Sequence, residues 1–76
     1  MHNKCMDIRK IIGHNVRRLR EKYSMSQDDL AYRSGLHRTY ISGIERGIRN
    51  PTASTLEILA TALSATVADL ISEHSE

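Results

Sequence analysis

The sequence contains no Trp and no Phe, so its core must be built from Ile, Leu, Val and Ala. It has no apolar run near the roughly eighteen residues that a membrane-spanning helix needs, and no signal-peptide segment follows its start. The single cysteine, Cys5, cannot form an internal disulfide, which favours a reducing, cytoplasmic location. A chain of 76 residues is expected to form one domain with a thin core that oligomerisation supplements.

Side chains that carry catalytic or metal chemistry are few and scattered. His2 and Cys5 have ligand-like spacing, but a metal ion needs two further donors, and His14, His37 and His74 are dispersed along the chain. The sequence has no Gly-rich phosphate loop and no pair of carboxylates placed for acid–base catalysis. We therefore expect no enzymatic activity, no metal or other cofactor and no small-molecule ligand.

Charge is distributed unevenly along the chain. Residues 1–49 contain all 11 Lys and Arg together with five acids, whereas residues 50–76 contain four acids and no basic residue. The two parts therefore carry net charges of +6 and −4. A basic portion indicates a polyanionic partner, and the alternative is a surface that is merely solvated. The motif inside the basic portion favours nucleic acid.

Residues 26–47, SQDDLAYRSGLHRTYISGIERG, have the pattern of a helix-turn-helix. Ser26 is a favourable N-cap, and Asp29 can reach back to its N–H in a variant of the capping box. The first helix is expected to end near Gly35, where glycine can adopt the positive φ of a sharp exit. Gly47 can end the second helix in the same way.

The second helix, predicted over about residues 37–46, has two different faces. At 100° per residue, Ile41 and Ile44 point to one side, with His37 near them, and the only acid, Glu45, is also turned inward. The opposite face and its flanks consist of uncharged or basic residues, namely Arg38, Thr39, Tyr40, Ser42, Gly43 and Arg46. Such a layout is expected of a helix that lies in a DNA groove.

A longer helix is predicted before this pair, from Asp7 to Tyr23. Its apolar residues recur at steps of three and four, and they are Ile8, Ile11, Ile12, Val16, Leu19 and Tyr23. Gly13 costs roughly 1 kcal/mol relative to Ala inside a helix, so it is expected to allow another helix to approach closely.

Two more helices are predicted after the loop 48–51. Ser54 is expected to cap the fourth, with Glu57 at the capping-box position, and Thr66 to cap the fifth, with Asp69 three residues later. The fourth is expected to bury Leu56, Leu59, Ala60 and Leu63. The sequence thus predicts a single all-α domain of five helices over residues 1–76, with a frayed segment at residues 1–6.

The stretch SQDDLAYRSGLHRTYISGIERGIRNP, followed by LEILATALSATVADLI, resembles the phage Cro and repressor (XRE-like) family of helix-turn-helix regulators. The resemblance covers nearly the whole chain after about residue 8, and GLHRTYISGIERGIRN is especially similar to controller proteins of restriction–modification systems. It implies a lambda-repressor-like fold and a regulator that activates or represses transcription, including that of its own gene. The implied partners are an operator in double-stranded DNA, a second copy of the chain and RNA polymerase. The alternatives are a phage-type repressor and an antitoxin whose main partner is a toxin protein.

DNA contacts are expected from two sets of residues. The base contacts are expected from Arg38, Thr39, Tyr40 and Gly43. The phosphate contacts are expected from Gln27, Ser42, Arg46, Arg49 and Asn50. Arg38 can donate a bidentate fork to guanine O6 and N7, worth ~1–3 kcal/mol of discrimination, the alternative being a phosphate contact. Core packing is the alternative for Tyr40, helix packing for Gly43 and a solvated cation for Arg49. The roles of Gln27, of the loop residues and of Arg46 are implied by the resemblance.

An ion pair and a dimer interface are also expected. In the resembled family Arg20 and Glu45 form a buried ion pair, which agrees with the inward direction of Glu45 and its need for a partner. The fifth helix, placed at residues 66–72, is expected to form a homodimer through Val67, Leu70 and Ile71, although one or two of these could complete the monomer core. Two-fold pairing would double the base contacts over half-sites about one helical turn apart.

Overall fold

The computed structural model describes residues 7–73, and the segment predicted to be frayed, residues 1–6, lies outside them. The described part consists of five α-helices without a strand, which confirms the all-α prediction. The helices are α1 (Ile8–Lys22), α2 (Gln27–Ser34), α3 (Arg38–Glu45), α4 (Ala53–Ala62) and α5 (Val67–Ile71). None of the helices in residues 7–73 has the length and apolar character needed to cross a bilayer.

Two helices begin with the same reciprocal hydrogen bonds. Ser26 Oγ accepts from the N–H of Asp29 at 2.9 Å, and the Asp29 carboxylate accepts from the N–H of Ser26 at 2.9 Å. Thr66 and Asp69 repeat this arrangement at α5, with distances of 3.1 and 2.9 Å. Both capping boxes were predicted, because the cap and its partner are only three residues apart in sequence.

The predicted start of α4 was wrong. Thr52, not Ser54, is the N-cap, and its Oγ1 accepts from the N–H of Thr55 at 3.2 Å. Ser54 lies inside the first turn, and Glu57 is an exposed residue of the helix. Thr and Ser are both favourable caps, so local chemistry alone did not distinguish the two positions.

The buried part of the apolar stripe on α1 is shorter than the stripe predicted from the sequence. Ile12, Val16 and Leu19 are buried, but the end residues Ile8 and Tyr23 are 48% and 45% exposed. The 15-residue helix α1 packs against two much shorter helices, α3 and α5. Its ends therefore extend beyond the surfaces that could cover them.

Eleven apolar side chains form the core, with α1 packed on α3 and α5, α2 on α3 and α4, and α4 on α5. They are Ile12, Val16, Leu19, Met25, Leu30, Ile41, Ile44, Leu59, Ala60, Leu63 and Leu70. Burial of each large aliphatic side chain contributes about 1.5–3 kcal/mol to stability. Leu56 packs against this core while remaining partly exposed.

Gly13 permits the closest contact between helices α1 and α3. A Cβ at this position would collide with the backbone carbonyl oxygen of Ile44 and lie 2.8 Å from that of Glu45. Both atoms belong to the backbone and cannot rotate away. The predicted close approach at Gly13 is therefore confirmed, and it brings the end of α3 against α1.

Candidate nucleic-acid interface

The turn between α2 and α3 follows from two local features. Gly35 has a φ of +76°, in the left-handed region that glycine adopts without strain, and it ends α2 as predicted. His37 is the N-cap of α3, and its Nδ1 accepts from the N–H of Thr39 at 3.2 Å. His37, which helical periodicity placed on the side of Ile41 and Ile44, is instead an exposed residue that precedes the helix as its N-cap.

The inner side of α3 is anchored by packing and by charge. Ile41 and Ile44 are completely or almost completely buried. Glu45 accepts from Arg20 Nε at 2.6 Å and from Arg20 Nη2 at 3.1 Å, with side chains only 4% and 11% exposed. The hydrogen bond from the guanidinium to this carboxylate raises the pKa of Arg20 above its usual value. The ion pair expected between α1 and α3 is thus present.

Two further hydrogen bonds extend this ion pair to the start of the helix-turn-helix. Arg20 Nη1 donates to the backbone oxygen of Met25 at 2.7 Å, just before α2. Gln27 Nε2 donates to Glu45 Oε1 at 3.1 Å. Gln27 therefore braces α3, while its phosphate contact stays a prediction. One carboxylate connects α1, α2 and α3.

The outer side of α3 is open to solvent at its N-terminal end. Arg38 and Thr39 are exposed, whereas Tyr40 and Ser42 are half-buried at the flanks. The Arg38 side chain is 58% exposed and its Nε lies 3.3 Å from Oδ1 of Asp28 on α2. Two of the four residues predicted to contact bases are therefore exposed, and one of them, Arg38, is paired with Asp28.

Gly43 lies beside the side chain of Arg49. It is buried, and a Cβ added to it would lie 2.6 Å from Cγ of Arg49. The guanidinium carbon of Arg49 lies 5.9 Å from the centre of the Tyr40 ring, within cation–π distance. Gly43 thus leaves room for the Arg49 side chain along α3, and a direct approach of DNA to Gly43 requires Arg49 to move.

The C-terminal end of α3 forms a basic corner. Arg46, Arg49 and Asn50 are exposed there, as expected of residues that contact phosphates. Gly47 has a φ of +77° and lies beneath Lys10, whose Cγ would be 3.0 Å from a Cβ at that position. This packing adds Lys10, which was not predicted as part of the interface, to the same corner.

The predicted dimerisation helix is only partly available at the surface. Leu70 is fully buried in the monomer core, so its assignment to a dimer interface was wrong. Ile71 is 42% exposed and Val67 is partly exposed. Leu70 turns inward because α5 packs against both α1 and α4.

Asn15 holds the end of α5 and was missed in the sequence. Its Nδ2 donates to the backbone oxygens of Leu70 and Ser72 at 2.9 and 2.8 Å, and the residue is 1% exposed. The available signal was a lone polar residue within the apolar stripe of α1. Asp28 was also missed, because its contact with Arg38 connects two helices across the turn.

Comparisons with known proteins agree with this architecture. A family model described as Helix-turn-helix (HTH_3) matches residues 16–70. The chain belongs to this family of helix-turn-helix transcription regulators. This regulator is 52% identical over 69 residues to the control protein C.SmaI of Serratia marcescens, covering 91% of this chain and 82% of the relative. It is 46% identical over 66 residues to the control protein C.BamHI of Bacillus amyloliquefaciens, covering 86% and 82%.

A solved structure supports the same assignment. The restriction–modification controller protein C.AhdI of Aeromonas hydrophila superposes on this helix-turn-helix regulator with a TM-score of 0.79 and 40% sequence identity. The match covers 82% of this chain and 94% of C.AhdI. The resemblance to controller proteins stated from the residues is thereby confirmed.

Proposed function

We propose that this regulator binds a palindromic operator in double-stranded DNA as a homodimer and controls a restriction–modification system together with its own gene. The observation that carries the proposal is the outer side of α3, where Arg38 and Thr39 are exposed while the only acid of that helix is turned inward. The similarity to three control or controller proteins is the reason for proposing a restriction–modification system as its target. The setting is the cytoplasm of a bacterium.

In this proposal the two ends of α3 have different tasks. Arg38 and Thr39 at its start contact base edges in the major groove, where each base pair presents a distinct pattern of donors and acceptors. Arg46, Arg49 and Asn50 at its end contact phosphates, which fixes the position of the helix without reading sequence. Binding beside a promoter places the protein near RNA polymerase, and the operator position decides between activation and repression.

The dimer is proposed to form through Val67 and Ile71 of α5, without Leu70. Ile71→Asp places a charge on this apolar surface and is expected to raise the dimer dissociation constant at least about tenfold, because the charge would be desolvated in the interface. Sedimentation equilibrium measures this change. Ile8→Asp is the matched control, since Ile8 is similarly exposed but lies on α1. Equal weakening by both variants, or by neither, contradicts the proposed interface.

DNA recognition is tested by selection from a random duplex library at about 0.15 M salt, because salt controls the non-specific component of binding. Wild type and Arg38→Ala are compared directly. We expect wild type to select a two-fold symmetric site and Arg38→Ala to lose its preference at one guanine in each half. If wild type enriches no sequence from the library, the result contradicts sequence-specific binding.

A further inference from the structure

Asp28 lies beside the side chain that the proposed function assigns to base recognition. Its Oδ1 is 3.3 Å from Arg38 Nε, and the two side chains are 79% and 58% exposed. Asp28 belongs to the first turn of α2, and Arg38 is the first residue of α3. The pair therefore bridges the two helices of the helix-turn-helix on their solvent-exposed surface.

A carboxylate at this place is unfavourable for simple attraction to DNA. Asp28 follows Gln27, which is expected to contact phosphate, and phosphates repel a carboxylate whatever the base sequence. Asp28 takes no part in the capping box of α2, which is formed by Ser26 and Asp29. The residue is therefore not explained by helix capping or by non-specific affinity.

The atoms in contact suggest what Asp28 contributes. The carboxylate lies beside Nε of Arg38, and the terminal nitrogens Nη1 and Nη2 are the atoms that would donate to guanine O6 and N7. An arginine that is already oriented loses less conformational freedom when it binds, and its planar fork must be correctly oriented for bidentate contact. An arginine held by Asp28 is also less free to turn toward a phosphate.

We propose that Asp28 is a specificity-determining positioning residue, which orients Arg38 toward a guanine and disfavours its contact with phosphate. The inference rests on the proposed function, because it assumes that Arg38 reads a base. It goes further by giving sequence discrimination to a residue that contacts no base. The proposal predicts that removing the Asp28 charge reduces discrimination even where it strengthens binding.

The test uses the duplex selected by wild type and a second duplex in which the guanine of one half-site is exchanged for adenine. The readout is the ratio of the two dissociation constants for each variant. Wild type is expected to give a ratio of about 5 to 150, the range that a bidentate arginine–guanine contact produces. Asp28→Asn is expected to lower the ratio about two- to fivefold, on the scale of an exposed ion pair.

Three further variants separate positioning from charge. Arg38→Ala is expected to abolish the discrimination, and adding Asp28→Asn to it is expected to have no further effect on the ratio. Glu57→Gln removes a carboxylate that is exposed on α4 and forms no ion pair within residues 7–73. It is expected to leave the ratio unchanged. Because each ratio is measured on one preparation, a partly unfolded sample alters both dissociation constants equally.

The outcomes distinguish this inference from the proposed function. If wild type discriminates but Asp28→Asn binds both duplexes more tightly with an unchanged ratio, Asp28 acts by repulsion alone and the positioning role is overturned. If Asp28→Asn lowers the ratio equally in the presence and absence of Arg38, the role is also overturned. If wild type itself shows no sequence preference, the proposed function fails and the inference fails with it.

Discussion

Helix α3, which is proposed to contact DNA, and the short helix α5 pack against the same long helix, α1. Different chemistry holds each of them. On the α3 side, Arg20 and Glu45 form a buried ion pair, and Gly13 allows backbone contact. On the α5 side, the neutral amide of Asn15 binds two backbone carbonyls. The two helices also differ in length, with eight residues in α3 and five in α5.

The same small core therefore has two tasks, to fix the position of α3 and to leave an apolar surface on α5. A charged pair withdrawn from water is costly to form but severely penalises any arrangement that separates its members. Such a constraint suits α3, since residues that contact a ligand must be held within about 0.5 Å of their working positions. The amide of Asn15 satisfies the end of α5 without adding charge next to the exposed Ile71. That surface therefore remains suitable for apolar pairing.

The largest effect is expected from loss of the ion pair that holds α3 against α1. Arg20→Ala leaves Glu45 buried without its charge partner and is expected to lower the free energy of unfolding by about 3–5 kcal/mol. Urea denaturation at a fixed protein concentration measures the loss. The matched control is Arg17→Ala, because Arg17 pairs with Glu21 at 3.1 Å while both side chains are more than half exposed. The control is expected to change stability by less than about 0.5 kcal/mol. A loss below that value for Arg20→Ala would contradict the structural role of the pair.

A smaller effect is expected on the α5 side. Asn15→Ala removes both hydrogen bonds to the end of α5 and is expected to cost about 1–3 kcal/mol, because buried carbonyl groups lose their donor. The variant is also expected to weaken dimer formation, since it loosens the helix that carries Ile71. Urea denaturation and sedimentation measure the two effects, with the exposed neighbour His14→Ala as control. Unchanged stability and unchanged dimerisation would together show that Asn15 does not hold α5.

The smallest effect concerns a half-exposed ion pair at the start of α1. Arg9 holds the pKa of Asp7 at about 2, first through its side-chain hydrogen bonds and then through its backbone N–H. A lowered carboxyl pKa stabilises the fold above the unfolded value of 3.8, and the stabilisation is lost as the pH falls toward about 2.

Asp7→Asn is therefore expected to make the melting temperature slightly less dependent on pH between about 4 and 2. The variant keeps a residue that can cap α1, so the effect reports the charge alone. Thermal melts at several pH values compare the variant with wild type. Both proteins contain Asp29, whose pKa is also lowered by backbone and side-chain hydrogen bonds with Ser26, so both keep some pH dependence from that residue. Parallel pH profiles for the two proteins would exclude a contribution from Asp7.

Features that depend on neighbours in sequence were predicted well. The capping boxes at Ser26 and Thr66 and the left-handed exit at Gly35 involve atoms within a few residues of each other. The inward direction of Glu45 followed from helical periodicity together with the cost of burying a lone charge. The overall exposure of Arg38 and Thr39 followed from the same periodicity.

The burial of residues at the edges of the contacts between helices was predicted less well. Periodicity places Ile8, Tyr23 and Leu70 on apolar faces, but it cannot say how far the opposing helices extend. Two of these residues are exposed and the third is enclosed in the monomer. His37 also differed from its predicted place within the helix, because it caps α3 from outside the first turn.

Five helices, the N-caps of α2 and α5, a helix-turn-helix in a basic portion and the family of the chain could all be predicted from the sequence. Short-range hydrogen bonding and 3.6-residue periodicity suffice for these, because both act within single helices. The packing of the helices was needed to show which apolar residues stay exposed, that Asn15 secures α5 and that Asp28 contacts Arg38. These depend on distances between helices, and the packing of the whole core sets such distances.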